Sequence, residues 1–313
     1  MTRRHAVVPL AIALAIALVS PLTLRSQTAA RLVDRAQLMR DVTTLAAPNF
    51  EGRQAGRPGG VKARQWLAGQ FTAIKLTPPG PNGYVQLFSF SDGGTEYLGG
   101  NVVGRIAGTD PRARLIVVTA HYDHLGVRNG SMYRGADDNA SGVAALLAAA
   151  RYFRANPPRH SMVFAALDAE EGGGSHENGA RTLVSTLSPA AVALNVNLDM
   201  VSRSDAREIY AAGTYHTPRL KPILEEVQQR APVKLLFGHD RPEAAAGGPE
   251  DWTLESDHGE FHRAGVPFVY FGVEDHADYH KPTDTPDKIN PQFFGDAADT
   301  ILDALRTLDA RLD

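Results

Sequence analysis

Short apolar runs recur along the chain, and each stops abruptly at polar or charged residues. Leu115–Ala120, Met162–Leu167, Val192–Leu198 and Pro267–Phe271 are nearly continuous runs of this kind and predict fully buried strands. Tyr84–Phe90 alternates apolar with polar positions, as a half-buried strand does, and Asn101–Ala107 reads as its hairpin neighbour at a sheet edge. Arg207–Ala212 and Val233–Phe237 add two more strands. Between the runs lie helical stripes at Arg31–Ala47, Gly60–Lys75 and Thr217–Gln229, an alanine-rich helix opening near Gly142, and a final helix over Pro291–Leu312. Thr217 and Pro218 suit the cap and first position of their helix. Strands alternating with helices predict an α/β fold, with ligands bound beyond the carboxyl ends of the strands.

Glycine and proline mark the loops. Pro48–Gly56 and Pro78–Gly83 are short ones, and Gly238–Glu255 is long enough to read as a lid or a disordered segment. The amino terminus is different. Arg3 and Arg4 precede an apolar run from Ala6 to Val19, then Ser20-Pro21 and small polar residues to Ala30. This is the pattern of a secretory signal, too short for the roughly 20 apolar residues of a spanning helix. The expectation is a signal over residues 1–30, cleaved near Ser26–Ala30. A single domain over 31–313 is then secreted or periplasmic, with no stable membrane insertion. No repeat or linker marks a further domain.

Composition narrows the chemistry. The 313 residues carry a net charge of −3 with the signs interspersed, which argues against nucleic acid and anionic membranes as partners. There is no cysteine, so any metal must be held by imidazole and carboxylate. Nothing in the pattern bears on oligomeric state.

Candidate donors fall at the strand ends: His121, Asp138, Glu171, Asp199 and His280. Two imidazoles and three carboxylates suit zinc. With one carboxylate bridging, two Zn²⁺ balance the three carboxylates and one hydroxide. Glu170, adjacent to Glu171 and pointing elsewhere, is the candidate general base for a metal-bound water. Asp123, two residues past His121, is expected to hydrogen-bond the imidazole nitrogen that faces away from metal. Asp137, Asp168, His124 and His176 read as ordinary turn or loop residues.

Six blocks together resemble the secreted co-catalytic di-zinc aminopeptidases, relatives of glutamate carboxypeptidases and glutaminyl cyclases. They are His121-Tyr122-Asp123, Gly135-Ala136-Asp137-Asp138-Asn139-Ala140-Ser141-Gly142, Glu170-Glu171, Asn197-Leu198-Asp199-Met200, Ser256-Asp257-His258 and Tyr279-His280. The resemblance runs from about Leu45 to the end. It implies a three-layer α/β/α sandwich with a mixed, mainly parallel sheet. It also implies two Zn²⁺: one held by His121 and Asp199, the other by Glu171 and His280, with Asp138 bridging. Glu170 would be the base, Asp123 would orient His121, and Tyr279 would hydrogen-bond the oxyanion. The activity implied is hydrolysis of N-terminal peptide bonds in a peptide or amino-acid amide. Rival readings are a carboxypeptidase or dipeptidase of the same family, a one-zinc glutaminyl cyclase, and a binding protein that has lost the chemistry. One departure stands out. Gly172–Ala180 is longer than the family's usual turn after the paired glutamates, and it bears on substrate preference.

Overall fold

The strands are β1 (Val85–Asp92), β2 (Thr95–Ile106), β3 (Leu115–His121), β4 (Gly126–Arg128), β5 (Ser131–Tyr133), β6 (Met162–Leu167), β7 (Val192–Leu198), β8 (Glu208–Ala212), β9 (Lys234–Phe237) and β10 (Phe268–Gly272). All but β4 and β5 join one sheet in the order β1-β2-β6-β3-β7-β10-β8-β9. The structure is a computed structural model. It describes residues 1–2, 31–172, 178–241 and 250–312. Nearly all of the expected signal segment lies outside the described residues, as do parts of the Gly172–Ala180 and Gly238–Glu255 loops.

The centre of the sheet, β6-β3-β7-β10, is parallel throughout. Both edges bring in antiparallel pairs, β1 with β2, β2 with β6, and β8 with β10. The expected mixed, mainly parallel sheet with a hairpin at one edge is therefore what forms. Parallel strands buried on both faces read as unbroken apolar runs, and alternate side chains feed opposite cores. In β3, Ile116, Val118 and Ala120 face a large core, while Val117 faces a smaller one.

The large core is covered by α1 (Arg35–Leu45), α2 (Pro58–Ile74), α3 (Gly142–Ala155), and by α5 (Lys221–Gln228) and α7 (Pro291–Arg311) from later in the chain. The smaller core is covered by α4 (Gly179–Thr186) and α6 (His258–Arg263). These are the three layers. Helix α1 starts at Arg35 rather than Arg31 because the Asp34 carboxylate caps it, accepting from the Gln37 N–H. Helix α2 stops where Lys75 turns left-handed at φ 63°. Helix α4, the β4–β5 hairpin and helix α6 were not predicted. The β4–β5 hairpin has only three residues a side, and α6 is a six-residue helix rich in charge and histidine, too short for a stripe.

Ile116 has no exposed surface and sits in the large core. Ile116→Val is expected to cost about 0.5–1.5 kcal/mol. The measurement is a lowered urea midpoint with an unchanged slope.

Candidate functional site

Because β3, β6, β7 and β10 run in parallel, their carboxyl ends lie along one edge of the sheet. β3 ends on His121, β6 stops just before Asp168, β7 just before Asp199, and the chain beyond β10 leads to Tyr279-His280. Asp138 arrives separately, in a single wide turn (Ala136–Ser141) that opens α3, and the Asp138–Asn139 peptide bond is cis.

That turn is held from beneath. The Asp284 carboxylate accepts from the backbone N–H of Asp137 at 3.0 Å and of Asp138 at 3.1 Å. Asp137 in turn accepts from the Ser202 N–H and hydroxyl and from the Ser141 hydroxyl. The Asn139 side chain donates to the Leu198 carbonyl and accepts from the N–H of Gly142 and Met200. Asp138 is thus aimed by its backbone.

All five expected donors face one cavity of about 390 Å³. His121 Nε2 lies 3.2 Å from Asp199 Oδ1 and 3.5 Å from Asp138 Oδ1. His280 Nε2 lies 3.1 Å from Asp138 Oδ2 and 3.1 Å from Glu171 Oε2. The two oxygens of Asp138 therefore face two separate donor sets. Glu170 and Tyr279 line the same cavity. The Tyr279 ring stacks on His280 with centroids 4.0 Å apart.

Asp123 departs from expectation. Its carboxylate is 3.8 Å from His121 Nδ1, beyond hydrogen-bond reach, and the ring nitrogen instead faces the Asp123 backbone carbonyl at 3.2 Å. The carboxylate accepts from the backbone N–H of Glu170 and of Glu171, at 3.1 and 3.2 Å. It fixes the glutamates' backbone rather than the imidazole.

The electrostatics are those of crowded carboxylates. Burial, then the nearby Glu171, pushes Asp138 up to about 6. Burial also lifts the Glu170 carboxyl well above its usual range, with Glu171, Asp257 and Asp199 adding to the shift. Burial opposes a charged His121, yet Asp199 and the carboxylates behind it outweigh burial and raise the imidazole well above its usual range. His280 rises to about 10 through its hydrogen bonds to Asp138 and Glu171. Among the described residues no lysine or arginine lines the cavity.

Sequence reasoning missed several residues here. His124 and Asp168 lie in loops and Asp137 in a turn, as expected, but all three are buried. His124 Nδ1 is 2.7 Å from Glu171 Oε1. Trp252, in the long loop, lines the cavity and is stacked on His239 at 3.6 Å. Only Asp137 carried a usable signal, its place beside Asp138. His176 lies outside the described residues.

Residues 101–305 match Peptidase family M28. Aminopeptidase YwaD of Bacillus subtilis is 30% identical over 202 residues, covering 61% of this chain and 40% of that protein. The matched stretch thus spans less than half the length of such curated relatives. Among solved structures, the Legionella pneumophila LapA aminopeptidase superposes with a TM-score of 0.69 at 20% identity, covering 91% of this chain and 75% of that one. The Bacteroides thetaiotaomicron glutaminyl cyclase superposes with a TM-score of 0.67 at 18% identity, covering 88% and 98%. At such identities the superpositions speak to fold alone.

Proposed function

The chain belongs to peptidase family M28, and from that membership we propose that it is a zinc-dependent aminopeptidase, releasing N-terminal residues from peptides or amino-acid amides. The observation that carries the reading is the gathering of His121, Asp138, Glu171, Asp199 and His280 in one cavity. Imidazole nitrogen and carboxylate oxygen donors, with no thiolate in the chain, fit zinc. His121 and Asp199 would hold one ion and Glu171 and His280 a second. Asp138 would contribute an oxygen to each, as the 3.5 and 3.1 Å approaches suggest. Zinc, when bound, supplies Lewis acidity and lowers the pKa of water.

The chain's own groups would do the proton work. Glu170 accepts a proton from the attacking water as the new C–O bond forms. It then delivers that proton to the amine nitrogen as the C–N bond breaks. Withdrawal from water, then Asp138 and Glu171, keeps the Tyr279 phenol protonated, so its O–H stays available to donate to the carbonyl oxygen.

A free amino terminus is favoured over a free carboxyl terminus by charge. Glu250, Glu255 and Asp275 also line the cavity. A carboxypeptidase needs a cation to hold the terminal carboxylate, usually arginine, and an α-ammonium suits carboxylates. Exhaustive chelation should abolish hydrolysis of an aminoacyl p-nitroanilide, and added zinc should restore it. Elemental analysis should count two zinc per chain. The same substrate N-acetylated should be cut at least 100-fold more slowly. Activity that survives chelation sinks the metal reading; equal cleavage of the acetylated substrate sinks the aminopeptidase reading.

A further inference from the structure

We propose that His124 is a positioning residue for Glu171: its Nδ1–H holds one carboxylate oxygen so that the other is presented to the metal. The inference rests on the zinc reading above and goes beyond it by adding a residue outside the five donors.

Glu171 lies between two imidazoles. Its Oε1 is 2.7 Å from His124 Nδ1, the length of a strong N–H···O⁻ bond. Its Oε2 is 3.1 Å from His280 Nε2, which is itself 3.1 Å from Asp138 Oδ2. One oxygen is thus committed to His124 and the other to the donor set. His124 Nδ1 is 3.7 Å from Asp138 Oδ2, so its short contact is with Glu171 alone.

The ring has little freedom to do anything else. It is 1% exposed, and its Nε2 is buried without a hydrogen-bond partner. A proton on Nε2 would therefore be unsatisfied, which favours the tautomer protonated at Nδ1. A Cβ on Gly135 would come within 2.5 Å of the imidazole, so that glycine, at φ +52°, leaves the ring its room. The edge of the ring meets His280 at 5.9 Å between centroids.

Glu171 needs such a hold. It is followed by Gly172-Gly173-Gly174, which have no side chains to pack. Its backbone N–H is pinned by Asp123, but that leaves the carboxylate free to turn. Burial alone would raise the Glu171 carboxyl, yet the hydrogen bonds from His124 and His280 hold it well below its ordinary range. Partners that orient ligating carboxylates are worth about 10- to 100-fold in metal affinity.

The test is a stepwise zinc titration against a competing chelator for wild type, His124→Ala and His124→Asn. In His124→Ala one of the two steps should weaken about 10- to 100-fold, with the other unchanged within about two-fold. Asparagine places an amide N–H near the lost Nδ1–H and should recover most of the difference. If His124→Ala does not fold, His124→Phe fills the same space without a donor and takes its place. The proposal is overturned if both steps hold, if both weaken equally, or if asparagine is as weak as alanine. Wild-type protein that binds no zinc would instead sink the functional reading.

Discussion

Glu170→Gln should keep its zinc and its fold and lose kcat by about 10²- to 10⁴-fold. Glutamine preserves shape and burial but has no site for the water's proton, and none to return to the departing amine. Glu170 lines the cavity but is not among the five proposed donors, so the effect should fall on turnover. KM should move little, since the role proposed for Glu170 is toward the attacking water rather than the bound chain. The readouts are kcat and KM on an aminoacyl p-nitroanilide, together with zinc content by elemental analysis. Zinc lost along with activity would make Glu170 a ligand. A variant within ten-fold of wild type would remove it from the chemistry.

The fold was legible where burial leaves no choice. β3, β6, β7 and β10 are buried almost throughout, so their sequences are apolar runs that end sharply, and the donors sit where they end. Residues acting after the chain has left the sheet were harder to read. Strand alternation continued past His121 would put His121 and Asp123 on one face, within reach of a side-chain bond. But β3 ends at His121, the alternation lapses, and the Asp123 carboxylate turns to the N–H groups of Glu170 and Glu171 instead. His124 was passed over for the same reason, since no period governs the third residue past a strand end. Asp284 left no trace at all. It acts on the backbone of Asp137 and Asp138, far away in sequence, through groups every residue carries.

Arg53 shows how far such hidden support extends, and Arg53→Ala should be the most destabilising of these substitutions. In sequence it is one residue of a glycine-rich loop. In the fold it is fully buried. Its Nε donates to the Tyr122 carbonyl at 2.7 Å, Nη1 to Leu45 and Arg134 at 3.0 and 2.7 Å, and Nη2 to Gly135 at 2.8 Å. One guanidinium thereby ties the end of α1, the exit of β3 and the approach to Asp138. Burial lowers its pKa to about 10, while Asp138, Asp284 and Asp123 help to hold it there, so it stays charged at neutral pH. Alanine would strand four carbonyls that water reaches poorly, at about 1–3 kcal/mol for each left unsatisfied. Partial hydration and relaxation bring the expected net loss to about 3–5 kcal/mol, read as a lowered urea midpoint. Lysine should recover only part of this, because a compact ammonium has three donors and no fork to span carbonyls on three segments. Since Gly135 and Tyr122 flank Asp138 and His121, the variant should also bind zinc more weakly under conditions where it remains folded. Unchanged zinc affinity would confine Arg53 to the fold, and an unchanged midpoint would show that its four hydrogen bonds add nothing net to stability.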